Sequence, residues 1–363
     1  MSKIKSIFGA YADQMQIMID KSLDRFAPTW YQRYFGWAPP QTSLTFVSAI
    51  GRSRIEAAAS VVNRDSRTPQ RSRAGLEKLT GEIPAIKEMF KMSESDYRDF
   101  MTLQQMSVVD DQTKKRQLLD FMFNDVKLVG DSAMKRLDIM VLEGVSKGEI
   151  SLSINNNPDG LVLSDAVDLL MHSSQKRNAT INWATSASAK PLEDIDAVIE
   201  AAAAKGRTFE KMLMSRSLWL KFKACTSVIN ALSGFYNIAK SSATVSATLD
   251  KVNEYLTANQ MPVIELVDEN IGIEKDGVIS VIKPFDQDNV SFIPSGNLGV
   301  IKNAIAIESM RPVESVSYAT FNRALISKWS ENEPFGEWTK VELNAFPAFD
   351  AIDGIYILDS VPA

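Results

Sequence analysis

The chain has a single histidine, His172, and a single cysteine, Cys225, which sets the first limit on its chemistry. One imidazole and one thiol cannot assemble a zinc site from the usual nitrogen and sulfur ligands. No G-x-S-x-G elbow presents a serine nucleophile. His172 follows an apolar, helix-like run and reads as structural. Cys225 ends the amphipathic stretch SLWLKFKAC and reads as a small buried hydrophobe. No G-x-x-x-x-G-K-[ST] or G-x-G-x-x-G loop is present to cradle a phosphate. The nearest glycine-rich piece, Ser295-Gly296-Asn297-Leu298-Gly299, lies between short strands and reads as a turn.

Carboxylates remain. Asp110-Asp111, Asp194 with Asp196, and Asp286 with Asp288 are close enough in sequence for acid–base work. Asp268-Glu269 and Asp286-Gln287-Asp288 have the oxygen chemistry for a hard cation, yet no calcium-loop pattern surrounds them. Each pair also reads as a helix start or a loop, and that structural role is the expectation. The sequence therefore predicts no catalytic residue, no metal site and no cofactor.

These residues sit in a chain of 363, with 45% apolar and 23% charged residues. That is enough for a core without covalent staples, in two domains or one large mixed one. A net charge of -5 and a pI near 5.3 speak against a dedicated nucleic-acid binder. A lone cysteine excludes an internal disulfide and fits manufacture in a reducing cytoplasm. No run reaches the ~18 apolar residues of a membrane-spanning helix. The opening residues, with Ile4, Ile7, Phe8, Tyr11, Met15 and Met18 at helical spacing, read as a helix and not as a signal peptide.

Residues 1–45 form an aromatic-rich arm. Phe26, Trp30, Tyr31, Tyr34, Phe35 and Trp37 crowd together there, and Pro28, Pro39 and Pro40 stop any long helix. So much apolar surface needs covering, by the chain's own core or by a neighbour. Residues 46–92 then turn basic. Arg52, Arg54, Arg64, Arg67, Arg71 and Arg73 face only Glu56 and Asp65, in a segment that reads as a long two-stranded excursion. A solvated loop and a nucleic-acid arm are alternative readings of it. The absence of interleaved aromatics argues against base stacking.

The strongest helical signal follows. SESDYRDFMTLQQM opens on a serine cap. From about 112 to 147, Leu118, Leu119, Met122, Phe123, Val126, Val129, Ala133, Leu137, Met140 and Val141 keep a three-to-four spacing, far beyond the ~11 residues of an average helix. Gly130 is a candidate bend, and Gly144 and Gly148 are candidate stops. EISLSI and LVLS read as short strands around the turn NNNPDG, and an irregular connector leads to 190. Residues 191–330 read as a compact α/β domain. A proline-led helix begins at PLEDID, FEKMLMS is a strand, and one helix starts at SRSLWL. A further helix follows, then strands turning at Asp276-Gly277 and at Pro294-Ser295-Gly296. KVELNAF and GIYILDSV return to a sheet at the end.

This order of parts resembles the lambda-type branch of tailed-phage major capsid proteins, with the Hong Kong 97-type capsid fold. INWATSASAKPLEDIDAVIEAA is similar to that family's entry into its axial domain, a tryptophan-bearing strand before a Pro-acid-Asp-Ile helix start. FEKMLMSRSLWLKFKAC resembles the strand and helix that follow. Phe292, Pro294 and Asn297 in NVSFIPSGNLGVI resemble a further family segment, and the ending resembles the closing strand of the peripheral domain. The likeness covers nearly the whole chain as pattern and order, without one specific short motif.

The resemblance implies an α+β fold with an N-terminal arm at 1–45 and an extended β-hairpin loop at 46–92. It implies a peripheral domain with a long spine helix at 93–190 and 331–363, and an axial α/β domain at 191–330. It implies a shell protein and not an enzyme, located in the virion and made in the bacterial host cytoplasm. Copies would gather as hexamers and pentamers into an icosahedral or prolate head enclosing double-stranded DNA, without sequence-specific binding and without a membrane. Expected partners are a separate scaffold (no long charged helical extension is evident), a portal, and decoration or head–tail connector proteins. The basic loop and the aromatic arm supply the expected intersubunit contacts: Arg52, Arg54, Arg64, Arg67, Arg71, Arg73, Trp30, Tyr34 and Trp37. The rival readings are a tail or baseplate component, a cytosolic α/β enzyme using a carboxylate pair, and a nucleic-acid module using the arginines.

Overall fold

Helix-forming residues run almost unbroken from Asp111 to Lys147, and they form one helix of 37 residues. Everything else is arranged around it. The computed structural model describes residues 15–51, 76–105, 111–160, 162–236, 246–333 and 335–362.

In chain order, α1 (Met15–Lys21) and β1 (Phe35–Trp37) belong to the arm, and β2 (Thr45–Gly51) pairs with β3 (Leu76–Glu82). Next come β4 (Ala85–Met92), α2 (Glu94–Gln105), the spine helix α3 (Asp111–Lys147), and the short strands β5 (Glu149–Ile150), β6 (Val167–Asp168) and β7 (Lys176–Asn178). The middle of the chain holds α4 (Pro191–Ala203), β8 (Lys211–Ser215), α5 (Arg216–Ala224), α6 (Thr226–Phe235), α7 (Leu249–Ala258), β9 (Val263–Val267), β10 (Ile271–Lys275), β11 (Val278–Ile282) and β12 (Asn289–Ile293). The last part holds β13 (Gly299–Ala304), α8 (Ile307–Met310), β14 (Ser317–Phe321), β15 (Ala324–Asn332), β16 (Phe335–Ala348) and β17 (Tyr356–Asp359).

Two sheets organise these strands. The first runs β1-β13-β16-β15-β14, with β4 also paired to β16. It packs on α3, so Val129, Leu137, Val141 and Val145 of the helix share one core with Ile326, Val341 and Leu343 of the sheet. The second runs β7-β17-β12-β8-β9. Its core joins Phe292 and Tyr356 to Ile195 of α4, Leu218 and Phe222 of α5, and Val252 of α7. At full burial each such side chain is worth about 1.5–3 kcal/mol. The spine helix ties the two together at its C-terminal end. There the Asp286 amide donates to Ser146 Oγ (3.1 Å) and Asn289 Nδ2 donates to the Ser146 carbonyl (2.9 Å).

The sheets do not divide at 330. Strands β13, β14 and β15 join the spine-helix sheet through β16, whereas β17 pairs with β12 in the second sheet. The C-terminal segment therefore serves both bodies, and the expectation that 191–330 is one unit and 331–363 belongs wholly to the other is corrected. Alternation shows that a run is a strand but not which partner it finds. The 46–92 excursion is likewise shorter at its return. β4 pairs with β16 over eight positions, from Glu337↔Met92 to Asn344↔Ala85, so it belongs to the body and not to the loop.

Local chemistry explains other departures. Ile150 ends β5, and LVLS forms no strand in its described residues, 162–164; β5 pairs instead with Val167 and Asp168. Trp183 sits in a turn after β7, not in a strand. The helix expected from Ser215 onward breaks at Cys225, whose extended backbone (ψ 130) separates α5 from α6. Gly148 ends α3 in the left-handed region (φ 74) that glycine tolerates. Gly144 does not end it. It lies inside the helix, where a Cβ would come within 2.4 Å of the Phe349 ring.

Candidate functional site

The arm is where the sequence concentrates its aromatic surface, and one face of α3 holds it. Asp131, Lys135 and Asp138 stand four and three residues apart, so their side chains line up along the helix. Asp131 Oδ1 accepts the Ala27 amide (2.8 Å), Lys135 Nζ donates to the Pro28 carbonyl (3.2 Å), and Asp138 Oδ1 accepts the Tyr31 amide (2.8 Å). Three side chains thus hold three backbone groups of the arm, at Ala27, Pro28 and Tyr31. Asp138 is fully buried, and burial holds its carboxyl above the usual aspartate range against the opposing pull of the Tyr31 amide and Lys135.

The arm's aromatics follow from that clasp. Tyr31 is fully buried, its hydroxyl set on Met134 Sδ (3.3 Å), and burial pushes its pKa up to about 12. Phe26 stacks on Phe321 with centroids 3.8 Å apart. Gly130 makes room for it, because a Cβ there would meet the Phe26 ring at 2.9 Å. Phe35 packs edge-on against Phe349, and Trp37 against Tyr31. Trp30 and Tyr34 are buried and Trp37 is half-buried. Of the two coverings open to the arm, its own core is the one observed for most of these rings.

Past the clasp, the arm reaches the second sheet. Arg33 Nη1 and Lys211 Nζ bracket Glu265 at 2.9 and 2.8 Å, and the Tyr34 hydroxyl donates to the same carboxylate at 3.3 Å. Burial works against the charged carboxylate, but Lys211 and Arg33 outweigh it and hold Glu265 below its ordinary value. A cleft of about 250 Å³ opens here, lined also by Glu210, Pro294 and Asn297. The Glu265 carboxylate beside it is kept ionised by fixed cations, which suits a joint between arm and body and not proton transfer.

The base of the β2–β3 ribbon is fixed just as firmly. Phe46 stacks on Phe346 (5.3 Å), Gly81 lies under the Phe46 ring, and Ser48 Oγ donates to Asp350 (2.6 Å). The ribbon pairs Thr45↔Glu82 through Gly51↔Leu76 and joins no other strand among the described residues. Arg52, Arg54, Arg64, Arg67, Arg71 and Arg73 lie beyond it, outside the described residues.

The carboxylate pairs do not converge. Asp194 accepts the Thr180 amide (3.0 Å), the Thr180 hydroxyl (2.7 Å) and Trp183 Nε1 (3.0 Å), which locks the 180–183 turn to α4. Asp196 is exposed. Asp286 caps the Asp288 amide, and Asp288 pairs with Lys221 (2.6 Å). Asp268 pairs with Arg216 and Glu269 with Lys135. Asp110 lies outside the described residues, as does the side chain of Asp111. His172 caps a short 3-10 turn, its Nδ1 accepting the Ser174 amide (3.1 Å). Burial pushes the Cys225 thiol up to about 11, so it is a poor nucleophile. Among the described residues no group of histidine, cysteine and acidic side chains could hold a metal ion, and no helix is long and apolar enough to cross a membrane.

Comparison with known proteins decides what such a framework is for. A family profile described as phage major capsid protein E matches residues 22–360. The chain belongs to the phage major capsid protein E family. Members of this capsid family are structural shell proteins and not enzymes, so this chain forms capsid shells with copies of itself in the virion. No curated protein matches it. Among solved structures, a protein of an E. coli CFT073 prophage assigned as its capsid protein aligns over 100% of both chains, at 12% identity and a TM-score of 0.57; this shows the shared capsid fold. A phage-related protein of Bordetella bronchiseptica RB50 aligns over 96% of this chain and 98% of its own, at 12% identity and TM-score 0.48. The capsid subunit of cyanophage A-1(L) aligns over 92% and 94%, at 10% identity and TM-score 0.47.

The residues that sequence reasoning missed are the capsid protein's own clamps: Asp131, Asp138, Glu143 and Glu265. Glu143 is buried and accepts from the Ser151 amide (3.1 Å) and Asn156 Nδ2 (3.3 Å), fastening the loop after α3. A signal existed in RLDIMVLEGV, where two acids interrupt an otherwise apolar run. Acids placed there are either errors or ligands of buried backbone.

Proposed function

We propose that copies of this capsid protein gather as hexamers and pentamers and close an icosahedral or prolate head around double-stranded DNA. Assembly takes place in the cytoplasm of the bacterial host. A separate scaffold guides closure, and portal, decoration or connector proteins complete the head. The spine-helix body forms the peripheral part of each subunit, and the second sheet forms the axial part that meets its copies at the symmetry axes. The DNA is enclosed and not read: the acidic balance of the chain, net charge -5, argues against tight sequence-independent binding.

One observation carries the loop's role. The β2–β3 ribbon is rooted in the core at Phe46 and Ser48, pairs with no other strand among the described residues, and leads into residues 52–75 with their six arginines. A rigidly rooted, basic extension serves to reach an acidic neighbour, where guanidinium forks bind carboxylates in pairs. Acids exist on the same chain: Glu88 of β4 lies near Glu274 and Asp159, and burial together with their charges raises its pKa against the opposing pull of the Met89 amide and Arg136. Trp30, Tyr34 and Trp37 contribute by setting the direction of the arm, with Trp37 keeping some surface for a neighbour. Each contact is weak, and many of them repeated over a closed shell make the whole stable.

Negative-stain electron microscopy of the purified chain, with and without a scaffold candidate, tests this. Closed shells or hexamer and pentamer rings are the expected result. Glutamate in place of Arg64, Arg67 and Arg71 together should leave the fold intact and abolish closure. Tubes, or a persistent monomer in both conditions, would overturn the reading.

A further inference from the structure

Val278, Val281 and Ile279 are the three most exposed large apolar side chains among the described residues, at 71%, 67% and 66%. All three lie on β11, whose sequence is VISVI. A strand without charge, proline or bulge is what natural proteins avoid at an open sheet edge. Apolar residues on both of its faces are the pattern of a strand covered on both faces. Here β11 pairs only with β10 among the described residues, leaving its other edge and most of its side chains in solvent.

The hairpin itself is firmly mounted. On β10, Ile271 and Ile273 are buried against Ile139 of α3, and Glu269 just before it pairs with Lys135 of the same helix (3.6 Å). Asp276 (φ 51) and Gly277 (φ 76) both take the left-handed conformation of a two-residue hairpin turn, which fixes the register at Lys275↔Val278. On the face away from Ile273, Gly272 stands opposite Val281, and Ile279 lies across the glycine: a Cβ there would meet Ile279 Cγ2 at 2.9 Å. Ile279 and Val281 thus form one smooth apolar plate on a rigid stalk.

We infer that the β10–β11 hairpin is an intersubunit contact, and that its exposed β11 edge and apolar plate are covered by a second copy of this chain. The inference rests on the shell-forming reading. In a shell built from one subunit type, the partner present beside every subunit is another copy of the same chain. The receiving surface needs apolar groups of its own, and the chain exposes them elsewhere, at Ile307 (62%), Met310 and Val313 around α8. An apolar plate and a separate apolar patch on one chain allow a head-to-tail contact, the kind that builds rings. The hairpin's remaining polar residues, Glu274, Lys275, Asp276 and Lys283, carry both signs and impose no net repulsion between copies.

The test uses the full chain under conditions in which the wild type forms shells. In the double variant Ile279→Glu with Val281→Glu, the free subunit should keep its circular dichroism and melting temperature, because neither side chain packs in the monomer's core, while shell yield by sedimentation falls at least ten-fold. Should that variant misfold, a benzophenone amino acid in place of Val281 gives an independent reading in assembled shells. A photo-adduct of twice the chain mass, with both peptides from this chain, is expected. Normal shell yield from the double variant overturns the inference, as does an assembled shell without chain-to-chain adduct or with the adduct on a different protein. A wild-type chain that never forms shells overturns the function proposed above and this inference with it; shells that form with and without the glutamates sink the hairpin contact alone.

Discussion

Asp138 accepts the Tyr31 backbone amide at 2.8 Å, joining residues 107 positions apart, and neither group has solvent to fall back on. Replacing Asp138 with alanine leaves that amide buried without an acceptor and removes the carboxylate paired with Lys135. The expected loss is about 1–3 kcal/mol. Asp138→Asn should lose less, because the amide oxygen still accepts. The pH dependence has a definite sign. Burial raises the folded-state pKa above the unfolded value of about 3.9. The contribution is then fully present below that value and is lost as pH rises through the raised pKa. Urea unfolding of wild type against Asp138→Asn should show the wild type's relative stability falling from pH 4 towards neutrality. A constant difference across that range would refute the account.

Two helical glycines should respond oppositely to alanine. Inside α3, a Cβ at Gly144 would sit 2.4 Å from the Phe349 ring and 2.9 Å from Leu169, both buried and without room to move. Overpacking costs about 1–3 kcal/mol, more than the ~1 kcal/mol that alanine gains over glycine in a helix. Gly144→Ala should therefore lower the melting temperature. In α6, Gly234 has nothing within 4 Å of its Cβ position, so Gly234→Ala should raise stability by about 0.5–1 kcal/mol. Thermal unfolding of both variants checks the pair. The same sign for both would show that the space around Gly144 is not what decides its identity.

The contrast between these glycines shows how far sequence reading reaches. The spine helix, the Pro191 helix start, the strand at 211–215 and the Asp276-Gly277 hairpin are legible because each depends on residues adjacent in the chain. Gly144 reads as a helix stop, because nothing local reveals that Phe349 lies over it. The partners of β4, β13, β14 and β17 are hidden for the same reason: pairing depends on contacts made across the fold. At the site, the aromatic arm is legible as surface that needs covering. That Asp138 is buried is hinted at by the apolar run around it, but nothing local names the Tyr31 amide as its partner, and Asp131 has no such run to mark it.

Lys328 offers a second pH-dependent test. It lies buried on β15 near Asp125 and Glu337, and burial drives its pKa down to about 8, those two acids opposing the fall. A folded-state pKa below the unfolded value means that the contribution to stability is fully present above the unfolded pKa of about 10.4. It is lost as pH falls through about 8. Wild type should therefore gain stability relative to Lys328→Met between pH 8 and 10, by up to roughly 3 kcal/mol. Comparing the two proteins removes the titration of Tyr31 and other shared groups. At pH 7 the methionine variant should still be the less stable, because Glu337 and Asp125 then lack their buried cation. Parallel denaturation curves at all pH values would mean that the lysine stays charged in its burial site.

Asp194 concentrates three hydrogen bonds on one carboxylate, and Trp183, fully buried, depends on it for its indole N–H. Alanine there should cost about 2–4 kcal/mol, since a buried indole donor and the Thr180 amide are orphaned together. Thr180→Val removes only the hydroxyl bond and should cost about 1 kcal/mol. The two substitutions share Asp194 as a partner, so their effects should not add. In chain labelled with 5-fluorotryptophan, the fluorine resonance of Trp183, assigned by its loss in Trp183→Phe, gives a local reading: in Asp194→Ala the turn at 180–183 loosens from α4 and this resonance shifts, whereas Thr180→Val leaves it in place. Because this turn packs against the second sheet and not against α3, the arm's clasp at Asp138 should be undisturbed. Amide exchange at Tyr31 should then be as slow in Asp194→Ala, relative to global unfolding, as in the wild type. Faster exchange at Tyr31 would show that loosening this turn is felt across the Ser146 and Glu265 junctions between the two sheets.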